Sequence, residues 1–113
     1  MTPEKLFQAL SDKNRLRILK MLEVRPLCVC EITAILDLAT STVSKHLSVL
    51  RDAGLLSDSK DGKWIYYELN KSSRDKRVQE LLQIASRWLT DDGIIISDRR
   101  KAKAVDKEKL CDI

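Results

Sequence analysis

Residues 26–54, PLCVCEITAILDLATSTVSKHLSVLRDAG, decide the fold. Ile32, Ile35, Leu36 and Leu38 recur at helical rather than alternating spacing, so Glu31 to Leu38 reads as a short helix, and the polar break Ala39-Thr40-Ser41 reads as a turn. From Ser41 onward Val43, Leu47 and Leu50 fall at i, i+4 and i+7. That pattern buries one face of a second helix, and Gly54 is placed to end it. Two short helices joined by a tight turn make a helix-turn-helix. The face turned away from Val43, Leu47 and Leu50 carries Ser41, Thr42, Lys45, Ser48 and Asp52, with Ser44 and His46 on its flanks. Small hydroxyl side chains let a helix lie deep in a major groove, and Ser, Thr and Lys bond base edges or phosphates. Any surface helix also has a polar outer face, so this helix alone does not separate a DNA reader from a solvated surface.

The stretch after Gly54 favours the reader. Leu55–Ser59 and Trp64–Leu69 are two short runs that read as strands, and between them Lys60-Asp61-Gly62-Lys63 holds an Asp-Gly hairpin signal. A hairpin directly behind a recognition helix is a wing. Its tip carries Lys60 and Lys63, suited to phosphates or the minor groove, although a surface lysine is by default only solvated. The expected class is therefore mainly α with a β-hairpin wing, an α+β winged helix-turn-helix.

Toward the N-terminus, Pro3 stands at a helix start and Leu6, Phe7 and Leu10 share one side of a short helix. Ser11 or Asp12 caps a second helix through Glu23. Its Leu16, Ile18, Leu19 and Leu22 face the core, with Lys13, Arg15, Arg17 and Lys20 solvated. Toward the C-terminus, Ser72 or Ser73 caps a long helix to about Asp91 whose stripe is Val78, Leu81, Leu82, Ala85, Trp88 and Leu89. Leu6, Phe7 and Leu10 together with Leu81, Leu82, Ala85, Trp88 and Leu89 make two apolar faces wide for one thin domain, and a two-fold partner would cover them. A homodimer would set two recognition helices about 34 Å apart and ask for a palindromic operator in double-stranded DNA. The winged-helix and dimerisation domain is expected over residues 1–92. Beyond it, Ile94-Ile95-Ile96 reads as a brief strand or packed tail, and the charged remainder of 93–113 as a mobile tail.

The 113 residues suffice for one domain, and a net charge of +4 permits an anionic partner without requiring one. No apolar run approaches a membrane span and no basic leader precedes an apolar one, so a cytoplasmic location without membrane contact is expected. Three cysteines in a reducing compartment point to reactive or ion-binding thiols rather than a disulfide framework.

Thiolates select soft ions. Cys28 and Cys30 would lie about 200° apart around a regular helix, so both grip one ion only where the backbone is extended or unwound. A ligand bound there would hold or force a non-helical start to the helix-turn-helix and shift the recognition helix. As(III) and Sb(III) take three sulfurs in a pyramid. Cys28 and Cys30 supply two, and the third is Cys111 of either subunit or a small cellular thiol. Each cysteine also has an ordinary reading, as a small buried apolar residue or, for Cys111 near a free end, an idle thiol.

Leu27-Cys28-Val29-Cys30-Glu31-Ile32, Ser41-Thr42-Val43-Ser44-Lys45-His46-Leu47, Leu50-Arg51-Asp52-Ala53-Gly54-Leu55 and Gly62-Lys63-Trp64-Ile65-Tyr66-Tyr67 closely resemble the ArsR/SmtB family of bacterial metal-responsive winged-helix repressors. The resemblance runs nearly the whole chain to about residue 90, on the arsenical-resistance branch. It implies a homodimeric repressor, not an enzyme, that leaves its operator when As(III) or Sb(III) binds as inducer, with no organic cofactor. It assigns DNA contact to Ser41, Thr42, Ser44, Lys45 and His46 and, in the wing, to Lys63. Many members of that branch carry a third cysteine where this chain has Thr33. The cadmium- and lead-sensing branch adds cysteines from an N-terminal arm, and none precedes Cys28; residues 74–91 lack the histidine of the zinc-sensing branch. Two other readings remain: the same repressor switched by another soft ion or by thiol oxidation or persulfidation, and a thiol or arsenic carrier without a DNA role.

Overall fold

The computed structural model describes residues 2–105. In chain order the elements are α1 (Pro3–Leu10), α2 (Lys13–Leu22), β1 (Leu27–Cys28), α3 (Val29–Leu36), α4 (Thr40–Asp52), β2 (Leu56–Asp61), β3 (Trp64–Leu69), α5 (Lys76–Ala85) and α6 (Gly93–Ala104). The strands form one antiparallel sheet in the order β1-β3-β2. This is the winged helix-turn-helix expected from the sequence, with one strand more than expected.

Local chemistry sets most boundaries. Thr2 caps α1 with Pro3 in its first turn, and the Asp12 carboxylate accepts the amides of Asn14 and Arg15 at the start of α2. Helix α3 ends on Asp37 in the left-handed region, φ 55°. Helix α4 ends in a Schellman motif, in which Leu55 N–H donates to Leu50 O, Gly54 N–H donates to Arg51 O, and Gly54 supplies the positive φ of 83°. The wing closes more tightly than the four-residue loop read from sequence. Asp61 pairs with Trp64, leaving Gly62-Lys63 as a two-residue turn with the glycine at φ 60°, the first-position glycine that a type II′ turn wants.

One core lies under α2, α3, α4 and the wing base, built from Ile18, Leu19, Met21, Leu27, Ile32, Val43, Leu47, Leu50 and Leu55. Four expectations are corrected at the C-terminal end and on the face of α2 that meets it. The long helix to Asp91 is absent: α5 is capped by Asp75 and stops at Ala85, and Leu89 takes φ 60°, which no right-handed helix admits. Residues 93–104, where Ile94-Ile95-Ile96 reads as a brief strand or packed tail and the charged residues after it as part of a mobile tail, form α6, started by the Asp92 carboxylate accepting Ile95 N–H. Lys20, read as solvated, is 2% exposed, and its Nζ donates to Ala85 O at 2.7 Å and pairs with Glu23. Arg17, also read as solvated, grips Asp98 of α6 with Nε and Nη2 at 2.8 and 3.0 Å.

Candidate nucleic-acid interface and thiol site

The reading face is built by α4. Val43, Leu47 and Leu50 are fully buried, which turns Ser41, Thr42, Ser44 and Lys45 outward, all exposed. Helical geometry thus brings these four predicted residues together on one surface. His46 stands apart from them. It is half-buried, and its Nδ1 lies 3.3 Å from Arg15 Nη1. Arg15 also donates to Ala9 O and Gln8 O, so it ties the end of α1 to α4 through His46. Sequence reading placed Arg15 in solvent; a contact spanning 31 positions leaves no local signal.

At the wing, Lys60 and Lys63 are exposed, and Lys63 Nζ lies 4.9 Å from the centre of the Trp64 ring. That cation–π contact sets the lysine's charge over the indole face. At the wing base Arg51 of α4 reaches Asp58 at 3.4 Å and the buried Tyr67, which joins helix and wing.

The thiol corner sits where β1 becomes α3. Leu27 and Cys28 pair with Tyr67 and Tyr66 of β3, so the cysteine segment is an edge strand of the wing's own sheet. Cys28 is the N-cap of α3 with extended backbone, φ −81° and ψ 163°, while Cys30 lies in the first helical turn. The pair therefore straddles a strand-to-helix boundary rather than opposite sides of one helix. Glu31 completes a capping box: its Oε1 accepts Cys28 N–H at 2.9 Å, and its own amide faces the Cys28 sulfur. Cys28 is 1% exposed. Burial pushes its thiol pKa up and the Glu31 carboxylate adds to the rise, against a smaller opposing pull from the helix amides. The group is a protonated thiol at neutral pH. The spacing Cys28-x-x-Glu31 is a capping signature that the sequence reading did not use.

The Thr33 position, one turn beyond Cys30, holds a buried hydroxyl that is without a hydrogen-bond partner. A hydroxyl is a poor substitute for sulfur toward a soft ion. Among the described residues no group of three His, Cys, Asp or Glu side chains is gathered as an ion site, and Cys111 lies outside the described residues.

Of the residues read as a dimer surface, Leu6, Leu82 and Ala85 pack into the chain's own core. Phe7, Leu10, Leu81, Trp88 and Leu89, joined by Leu16, line an apolar groove of about 320 Å³, with Phe7 65% and Trp88 49% exposed. No helix among the described residues is long and apolar enough to cross a membrane.

Residues 12–58 match the family described as bacterial regulatory protein, arsR family. The chain is 38% identical over 98 residues to the arsenic resistance transcriptional regulator ArsR2 of Pseudomonas putida, spanning 83% of this chain and 85% of that protein. It is 37% identical over 86 residues to a cadmium resistance transcriptional regulatory protein CadC homolog of Staphylococcus aureus, spanning 75% and 68% respectively. Among solved structures, HlyU from Vibrio cholerae superposes with a TM-score of 0.64 at 30% identity, over 75% of this chain and 88% of that one.

Proposed function

The chain belongs to the arsR family of bacterial regulatory proteins, and from that premise we propose that it is a repressor that releases its operator when As(III) or Sb(III) binds Cys28 and Cys30. It is a transcriptional regulator rather than an enzyme. One observation carries the inducer reading: Cys28 is extended and Cys30 is in the first turn of the helix that precedes the reader. Two sulfurs at such a boundary can turn toward one ion without unwinding a formed helix. The donor set fits a soft, thiophilic ion and offers nothing to a hard one. The third sulfur is that of Cys111 or a small cellular thiol.

DNA contact is assigned to Ser41, Thr42, Ser44 and Lys45 of α4, with Lys63 on the wing and His46 at the rim. The apolar groove of Phe7, Leu10, Leu81, Trp88 and Leu89 supports a homodimer, and a two-fold dimer reads a palindromic operator, here ahead of an arsenic-resistance operon. A second reading, induction by Cd(II), is favoured by the likeness to the cadmium regulator of Staphylococcus aureus.

The test is binding of the purified full chain to labelled DNA from upstream of its own gene, with arsenite or Cd(II), for wild type, Cys28→Ser, Cys30→Ser and Cys111→Ser. Arsenite should release wild type and neither Cys28→Ser nor Cys30→Ser, and the Cys111 variant reports the source of the third sulfur. Release by Cd(II) alone would replace the inducer. Release of both serine variants by arsenite would end the thiol reading.

A further inference from the structure

We propose that Glu31 and Arg25 are a positioning pair that carries a change at the thiols to α6, a role that rests on the reading of Cys28 and Cys30 as the inducer site. The Glu31 side chain is 3% exposed, and its two oxygens are divided between two tasks. Oε1 accepts Cys28 N–H at 2.9 Å, and Oε2 accepts Arg25 Nη2 at 2.9 Å. The same guanidinium donates from Nε to Ala102 O and from Nη2 to Val105 O, both at 2.9 Å, and from Nη1 to Pro26 O at 3.1 Å.

Arg25 thus joins the carboxylate that caps the cysteine helix to carbonyls at the C-terminal end of α6, 77 and 80 positions away. The last carbonyls of a helix lack intrahelical donors, so a cation with several N–H groups is the natural ligand for them. Lysine could not serve, because one ammonium cannot reach a carboxylate and carbonyls on several sides as a planar fork does.

The coupling follows from Cys28 playing two parts. Its amide is held by Glu31, and its sulfur lies against the Glu31 amide over the first turn of α3. Drawing that sulfur toward an ion shared with Cys30 rotates residue 28 and removes its N–H from Glu31 Oε1. A buried carboxylate that loses a donor reorients to regain one. That reorientation draws its partner Arg25 away from Ala102 O and Val105 O. Helix α6 is the element that receives the change, and through Asp98–Arg17 and Arg99–Glu23 it is bonded to α2.

The test uses the purified protein as wild type, Glu31→Gln and Arg25→Lys, each checked by thermal unfolding. Amide hydrogen exchange over residues 99–104 is measured with and without arsenite, with free thiols counted in parallel. Arsenite should raise exchange over 99–104 in wild type by about tenfold. In both variants that exchange should already be about tenfold higher without arsenite and change by less than about twofold on its addition, while the thiols still bind arsenite. Variants that keep wild-type exchange and the arsenite response overturn the pair's role, as does a wild type that binds arsenite with no change over 99–104. Should arsenite leave the wild-type thiols untouched, the inducer reading falls. The clamp is then judged by the variants alone: raised exchange over 99–104 supports it, and unchanged exchange sinks it.

Discussion

Helices α4 and α6 are nearly the same length, 13 and 12 residues, and are put together in opposite ways. Helix α4 buries Val43, Leu47 and Leu50 and turns hydroxyls and Lys45 outward, so the side chains on its outer face are exposed to solvent. Helix α6 buries a carboxylate, Asp98, between Ile95 and Ala102, and leaves Ile94 and Ile96 53% and 40% exposed. It is held by charge: Arg17 to Asp98, Arg99 to Glu23 and to Lys20 O, Arg25 to Ala102 O. One helix docks by apolar burial and turns its polar groups to solvent. The other adds buried polar contacts to Ile95 and Ala102 and leaves Ile94 and Ile96 outside.

The sharpest way to break this comparison is to remove the charge that holds α6. Arg17→Met leaves Asp98 buried without its ion partner and should cost about 3–5 kcal/mol in stability, read by urea unfolding. A loss under 1 kcal/mol would mean that α6 docks by other means.

Lys45→Ala is the counterpart on α4. It should leave stability within about 0.5 kcal/mol of wild type while weakening operator binding about tenfold and reducing the salt slope by about one ion. Unchanged affinity at low salt would remove Lys45 from the interface.

The smallest effect sharpens the contrast at the thiol corner, where side chains face inward as in α6. Cys28 is held protonated by burial and by Glu31, and only its thiolate is nucleophilic. Its alkylation rate should therefore keep rising beyond pH about 8.5, where an ordinary cysteine levels off. The unfolded chain gives up this proton first, so stability falls as pH rises past about 8.5, and Cys28→Ser should flatten that limb of the pH–stability curve. A plateau at pH about 8.5 in the alkylation profile would contradict a buried, carboxylate-facing thiol.

The reader was legible because its determinants are local. Val43, Leu47 and Leu50 repeat at helical spacing, Gly54 marks the stop, and the wing strands flank a glycine turn. The terminal apolar faces were only partly legible: periodicity grouped Leu6, Leu82 and Ala85 with Phe7 and Trp88, but the first three face the chain's own core and the last two are exposed. Helix α6 was misread because its central inward residue is a carboxylate, which a reading by hydrophobicity turns outward. Strand β1 is two residues long and shows no alternation.

The sequence by itself determined the winged helix-turn-helix, the outward set Ser41, Thr42, Ser44 and Lys45, and the closeness of Cys28 to Cys30, since each depends on residues within a few turns of one another. The tertiary structure decided that Cys28 caps α3 from an edge strand, that Glu31 and Arg25 join it to α6, and that Lys20 and Arg17 face inward. Those contacts unite residues 65 to 81 positions apart, or depend on burial, and a charge turns inward only when the fold supplies its partner.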